Sequence, residues 1–381
     1  MKIEPFAMER WQSTYENDVE FNLAESGVHP LTVRELLDDA GEWDGVLDQP
    51  LVYTQSNGTR ELRERVAAIY PGATPDHVQV TNGGSEANCV VTWRLVEPGD
   101  EVVLMVPNYL QAQGLSRAFG GMVHEWRMRP DYGAKRWIVD VDELHRLMTA
   151  KTRVIAICTP NNPTGARLGE SDLDEICRIA GHYGAWVVSD EIYSGAERDG
   201  RQSPSVWGRY ERAIVTSGLS KAYGLPGLRI GWVAGAPDFI ASTWLLHDYT
   251  TIAPSALSDR LARAALTPDR RQRLLGRTRR IVRDNYSILE AWLADQPGAF
   301  TWIPPEAGAI CCAHYHYDIG SLVLAERLRA EKSVLVVPGE HFGMDRYVRF
   351  GYGERSDYLK AGLARVSALL ADVPLAARSG V

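Results

Sequence analysis

The chain has 381 residues, 45% hydrophobic and 24% charged, with a formal net charge of −8 and a pI near 5.7. That composition excludes a disordered tail, a collagen-like repeat and a disulfide miniprotein, and the length suits two or three domains. The acidic balance gives no footing for nucleic acid or an anionic membrane.

The first ten residues, Met1-Lys-Ile-Glu-Pro-Phe-Ala-Met-Glu-Arg10, hold no apolar leader stretch. No apolar run approaches the ~18 residues needed to span a bilayer. Cys89, Cys158, Cys177, Cys311 and Cys312 are odd in number, lack CxxC spacing and sit mostly in apolar runs. They are expected to be reduced core residues of a cytoplasmic protein.

From residue 60 to 250, helical periodicity alternates with short β-rich runs. Arg60–Tyr70 reads as helix, and so does Ser85–Val96, which Pro98-Gly-Asp100 ends. Glu101–Val106 reads as strand, Gln111–Phe119 as helix and Val123–Met128 as strand. Val154–Thr159 (strand), Glu170–Tyr183 (helix), Trp186–Ser189 (strand) and Ala213–Ser217 (strand) follow. Strands that are apolar throughout, with helices between them, predict a mostly parallel sheet covered on both faces.

The texture changes after Pro254. One long helix is expected over 268–295, its seven arginines between 270 and 283 forming a solvated face. Ala299–Ile303, Ala309–Ala313, Val334–Val337 and Tyr347–Phe350 read as strands, and Asp318–Glu331 and Tyr358–Leu370 as helices. The division expected is an N-terminal segment, 1–47, joining a small α+β domain at 255–381, with a large domain at 48–254.

Several loops follow these strands with chemistry-bearing side chains. Lys221, in Ser217-Gly-Leu-Ser-Lys-Ala-Tyr-Gly-Leu-Pro-Gly-Leu-Arg229, lies just after a buried strand. Partial desolvation there is expected to lower its pKa and suit it to Schiff-base chemistry. Alone, the segment reads more readily as a surface lysine in a turn. Thr159-Pro-Asn-Asn-Pro-Thr-Gly165 and Val188-Ser-Asp-Glu-Ile-Tyr193 follow two other strands, and Thr81-Asn-Gly-Gly-Ser-Glu-Ala87 opens a helix. Ligands gather at the carboxyl ends of strands in open α/β sheets, where all these segments fall. A GxGxxG after the first strand, which a nucleotide-binding oxidoreductase needs, is missing, and the nine histidines show no metal-ligand spacing.

Taken together and in this order, the motifs resemble the fold-type I pyridoxal-phosphate enzymes, specifically the class I/II aminotransferase family, from about Asn22 to about Gly353. The resemblance implies an α/β fold, a large domain with a mostly parallel sheet sandwiched by helices plus a smaller α+β domain. It implies pyridoxal 5'-phosphate as cofactor, carried by Lys221, with Asp190 paired to the pyridine nitrogen. Tyr193 and Asn162 would donate to the phenolic oxygen, and Tyr109 would stack on the ring. Gly83, Gly84, Ser85, Ser220 and Arg229 would hold the phosphate, and Arg349 the substrate carboxylate. Tyr53 would reach the phosphate of a neighbouring subunit, making a homodimer with shared active sites.

Gly27 falls where the family's N-terminal segment folds over substrate. Gly218 stands where many relatives carry a phosphate-binding serine, a place that Ser217 or Ser220 would have to fill. Asn22-Leu-Ala-Glu-Ser-Gly-Val-His-Pro30 and the lysine loop are similar to the capreomycidine synthase-like subgroup, which acts on arginine-type substrates. Glu25 and His29 read either as a helix cap or satisfied polar groups of a loop, or as functional groups, Glu25 meeting a polar or cationic substrate side chain and His29 assisting proton transfer. Two outcomes stay open: amino-group transfer from an L-amino acid to a 2-oxo acid, or elimination, cyclisation or oxidative deamination in specialised metabolism. A ligand-sensing transcription factor would need a DNA-binding module for which the chain leaves no room.

Overall fold

A computed structural model describes residues 3–376. The dominant element is a seven-stranded sheet made of β1 (Val78–Thr81), β2 (Glu101–Val106), β3 (Met122–Arg127), β4 (Thr152–Cys158), β5 (Trp186–Asp190), β6 (Ala213–Gly218) and β7 (Gly231–Ala234). Their spatial order is β1-β7-β6-β5-β4-β2-β3. Only β7 runs antiparallel to its neighbours, pairing Gly231 with Thr81 on one side and with Gly218 on the other. β6 is buried along its whole length, as a strand covered on both faces must be. The six other strands end on one edge, so Thr81, Val106, Cys158, Asp190 and Gly218 lead into neighbouring loops.

Helices cover both faces, among them α2 (Arg60–Ala67), α3 (Gly84–Leu95), α4 (Pro237–His247), α5 (Ala256–Ala265) and α6 (Pro268–Ala294), while α1 (Ala7–Tyr15) packs by Met8 on Leu335, Val337 and Phe342. A second, antiparallel sheet is ordered β8-β9-β11-β10, with β8 at Phe300–Trp302, β9 at Ile310–Tyr315, β10 at Val337–Pro338 and β11 at Tyr347–Gly351. Phe21–Asn22 pairs in parallel with Val334–Leu335, and Phe21, Leu23 and Val28 join the second core.

The expected boundary at 254/255 does not match how the cores divide. Leu261, Ala262 and Ala265 of α5 and Leu274 and Leu275 of α6 pack in the core of the large sheet. Val282, Tyr286, Leu289 and Leu293 of the same α6 pack in the core of the small one. The change in sequence texture at Pro254 marks a charged outer face, not a new core. That face is also less solvated than expected: Arg270 and Arg273 pair with Asp38, and Arg279 pairs with buried Glu197. β1, β7, α1, α4 and α5 have no counterpart in the sequence reading. The two strands are four residues each, and α1 buries only Met8 and Gln12 along its length.

Candidate active site

The carboxyl edge of the large sheet borders a cavity of about 300 Å³. Its lining brings together Gly84, Ser85, Tyr109, Asn162, Asp190, Tyr193, Ser220, Lys221 and Arg229 with Glu25 and the inner face of α1. Lys221, three residues beyond β6, points its Nζ to Glu25 Oε1 at 2.9 Å. This reverses the expected pKa of the lysine. Burial pulls it down, but the Glu25 carboxylate and then Tyr193 raise it above the ordinary value. Glu25 is brought to about 2, because Lys221 and the Gly27 amide outweigh its own burial.

Asp190 closes β5. Its Oδ2 accepts from Asn88 Nδ2 at 2.9 Å and its Oδ1 from the Ile192 amide at 3.1 Å. Burial still leaves its pKa raised, and among the described residues no cation pairs with it. Asn88 is the functional neighbour that sequence reasoning missed. Thr216 Oγ1 on β6 donates to its Oδ1 at 2.6 Å, fixing the amide so that its NH₂ faces Asp190. The pair is separated by 102 residues, and a lone asparagine in a helix gives no sequence signal of it.

At the other end, Gly83 caps α3 with φ +88°, and a Cβ there would fall 2.2 Å from Arg229 Nη2. The guanidinium therefore packs directly on the helix N-terminus, which carries positive potential of its own. Like charges meet there, and no carboxylate among the described residues pairs with Arg229. Gly218 also has a steric reason: a Cβ would lie 2.8 Å from the Ile230 carbonyl oxygen. Of the two candidate substitutes, Ser220 lines the cavity, whereas Ser217 Oγ donates to the Glu191 carbonyl and faces a different one.

Arg349 of β11 is fully buried. Its Nη1 donates to Asn162 Oδ1 at 2.8 Å and its Nη2 to the Ala24 carbonyl at 2.5 Å, while Nε has no partner. Burial lowers its pKa in spite of Tyr193, Glu25 and Glu9 nearby. Tyr193 is buried and its hydroxyl pKa is raised by desolvation, so it stays a donor at neutral pH. Tyr109 donates to Glu9 Oε1 at 2.9 Å and meets Phe6 edge-on, which ties α1 to the cavity rim. A Cβ on Gly27 would sit 3.1 Å from Glu25 Oε1 and 3.7 Å from Lys221 Cδ, so the chain passes close over the lysine.

Of the expected residues, Arg349, Gly27 and Gly83 stand behind the cavity lining, on Asn162, Lys221 and Arg229 respectively, and two others lie farther from it. His29 turns to Arg277, whose Nη2 approaches Nδ1 at 2.8 Å, and burial with that cation lowers the imidazole pKa. The ring does not line the cavity that holds Lys221. Tyr53 is 84% exposed and outside the cavity.

The family model described as aminotransferase class I and II matches residues 44–366. The chain belongs to this family. Capreomycidine synthase of Streptomyces vinaceus is 32% identical over 368 residues, 94% of this chain and 92% of the relative. A pyridoxal-phosphate-dependent aminotransferase from Streptococcus suis, of solved structure, is 31% identical, with a TM-score of 0.91 over 98% of this chain and 99% of that one. The pyridoxal-phosphate-dependent cyclase OrfR is 26% identical, with a TM-score of 0.87 over 98% of both chains.

Class I/II aminotransferases are pyridoxal-phosphate enzymes, and the donor set fits that cofactor. Asp190 is a buried carboxylate with amide donors on one side and no cation, which suits a protonated pyridine nitrogen. Arg229 on a glycine-capped helix N-terminus suits a phosphate dianion. Lys221 lines the same cavity. Among the described residues no helix is long and apolar enough to cross a membrane.

Proposed function

We propose that this aminotransferase acts on an L-amino acid with a cationic side chain, in the cavity between the large sheet and α1. The observation that carries the reading is the charge of the cavity's N-terminal wall. Glu9, Glu16 and Glu25 all line it. Burial, then Glu25 and Glu9, raise the pKa of Glu16, so the three carboxylates repel one another. An ammonium or guanidinium at the end of a substrate side chain relieves that repulsion, whereas an acidic substrate adds to it.

The arrangement of side chains supports the following roles. Pyridoxal phosphate, when bound, supplies an aldehyde for the amino group and an electron-accepting ring. Gly83, Gly84 and Ser85 amides, Ser220 and Arg229 would hold its phosphate, and Tyr109 would stack on the ring. Asp190, oriented by Asn88, would keep a proton on the ring nitrogen. Asn162 has its Oδ1 engaged by Arg349, which leaves its NH₂ to donate to the phenolic oxygen together with Tyr193. Arg349 binds the substrate carboxylate bidentately. Lys221 Nζ would hold the cofactor's aldehyde carbon and, when free, would take a proton from the substrate Cα and return it. Gly27 leaves room above the lysine, and α1 excludes water.

The reading includes a homodimer. Leu47, Leu51, Val52 and Tyr53 are exposed, as are Leu245, Tyr249 and Ile252. Thr54 Oγ1 donates to the Pro254 carbonyl and Trp244 Nε1 to Ser56 Oγ, so the two segments form one apolar face. A second copy covers that face and receives Tyr53 at its phosphate end. The domain division is a large unit centred on 48–275 and a small one of 276–376 with residues 21–28. Five free cysteines fit a cytoplasmic biosynthetic enzyme.

The similarity to capreomycidine synthase and to a cyclase favours a second reading. In it the same proton abstraction ends in cyclisation, elimination or, with dioxygen as oxidant, oxidative deamination. Single turnover with an amino acid and no 2-oxo acid separates the two. A transaminase stops with the amino group on the cofactor; a cyclase, eliminase or oxidase returns to its starting spectrum. Run over the twenty amino acids, the same assay should favour arginine and lysine. A preference for aspartate or glutamate would overturn the cationic assignment.

A further inference from the structure

Glu86 belongs to the first turn of α3, yet it faces away from the cavity. It is 9% exposed and collects donors from two parts of the chain. Oε2 accepts from the Asn82 amide at 2.5 Å and lies 3.2 Å from Nε2 of fully buried His247, at the end of α4. Oε1 accepts from Thr251 Oγ1 at 2.8 Å and from Thr250 Oγ1. Asn82 completes the knot, with Nδ2 donating to Thr251 Oγ1 at 2.5 Å and its carbonyl accepting from Arg229 Nη2 at 3.4 Å. The segment so held, 248–254, carries exposed Tyr249 and Ile252, and Ile252 has φ +68°. A β-branched residue adopts that left-handed conformation only where its surroundings impose it.

We infer that Glu86 is a positioning residue that clamps the 248–254 segment onto the phosphate end of the site. One carboxylate thereby sets both the anion-binding helix terminus and part of the apolar face offered to a second copy. The inference rests on the cofactor site and homodimer proposed above. It makes an unusual demand on sign. Glu86 is a negative charge one turn from an anion site, so electrostatics alone predicts that removing it strengthens phosphate binding. The clamp predicts the opposite, because Asn82 and the start of α3 lose their anchor.

The test uses apoprotein of the full chain, titrated with pyridoxal phosphate by fluorescence, and sedimentation equilibrium. Glu86→Gln should weaken cofactor binding about tenfold or more and raise the dimer dissociation constant by a similar factor, since it disrupts several bonds to a charged acceptor. kcat at saturating cofactor should stay within about twofold, because Glu86 touches neither cofactor nor substrate. Thr251→Val, which spares the carboxylate, should move both constants the same way, and the double variant should be no worse than Glu86→Gln. Tighter cofactor binding in Glu86→Gln, a change in only one of the two constants, or additive effects would overturn the inference. A monomeric wild-type protein, or one that takes up no cofactor, would overturn the underlying reading instead, and is seen without any variant.

Discussion

Replacing Arg349 by methionine separates stability from catalysis. The side chain is fully buried, its pKa is lowered by desolvation, and no carboxylate lies within hydrogen-bonding distance of it. Its partners are Asn162 Oδ1, the Ala24 carbonyl, Gln12 Oε1 at 3.5 Å and Met8 Sδ at 3.7 Å. Burying a guanidinium without an ionic partner costs several kcal/mol. Methionine removes that cost but leaves Asn162 Oδ1 and Gln12 Oε1 short of a donor, at about 1–3 kcal/mol each, while the Ala24 carbonyl keeps Gln12 Nε2 at 3.1 Å. The opposing effects nearly cancel, so stability should change by no more than about 2 kcal/mol. For a chain of 381 residues, with an unfolding entropy of about 0.8 kcal/mol/K, that is about 2–3 °C in Tm. Catalysis has no such compensation. Loss of the carboxylate's partner should lower kcat/KM by about 2–5 kcal/mol in transition-state stabilisation, or roughly 30- to 4000-fold, for every amino acid alike. Scanning calorimetry and steady-state kinetics on one preparation decide the matter. A fall in Tm of 10 °C or so with proportionate loss of activity would refute the reasoning, and so would a defect confined to some side chains.

Other variants test other parts of the site. Glu16→Gln should lower kcat/KM for arginine and lysine about tenfold while leaving leucine unchanged, as expected for a partly exposed charge facing a cation; steady-state kinetics on the three substrates checks it. Asn88→Leu removes the donor that holds down the Asp190 pKa, so the acid limb of the pH–activity profile should move to higher pH. Glu86 is brought from 4.5 to about 2, against its burial, chiefly by His247, Thr250 and the Asn82 amide. A depressed carboxyl stabilises the fold above pH 4.5 and loses that contribution as pH falls through about 2. Glu86→Gln should therefore forfeit about 3 kcal/mol at neutral pH and flatten the acid-unfolding curve below pH 4.5, measured by circular dichroism.

Some of this was legible in the sequence and some was not. Glu101–Val106 and Glu170–Tyr183 fall where periodicity puts them, because buried strands and amphipathic helices announce themselves locally. The lysine loop, Asp190 and Asn162 were legible because each sits in a short loop directly after such a strand. Asn88, Glu86 and His247 were not, since the partners that decide their roles, Asp190 for Asn88 and each other for Glu86 and His247, are 102 or more residues away and their residue types are ordinary for a helix. The Lys221 pKa was misjudged for a related reason. Burial was readable from the strand before it, but Glu25 arrives from 196 residues away and decides the sign.

The central claim is that Lys221 carries the cofactor. Purified protein treated with borohydride, digested and mapped by mass spectrometry should show one pyridoxyl-phosphate adduct, on the peptide containing Lys221, with loss of the visible absorbance. An adduct on another lysine, or protein that takes up no pyridoxal phosphate, would contradict it.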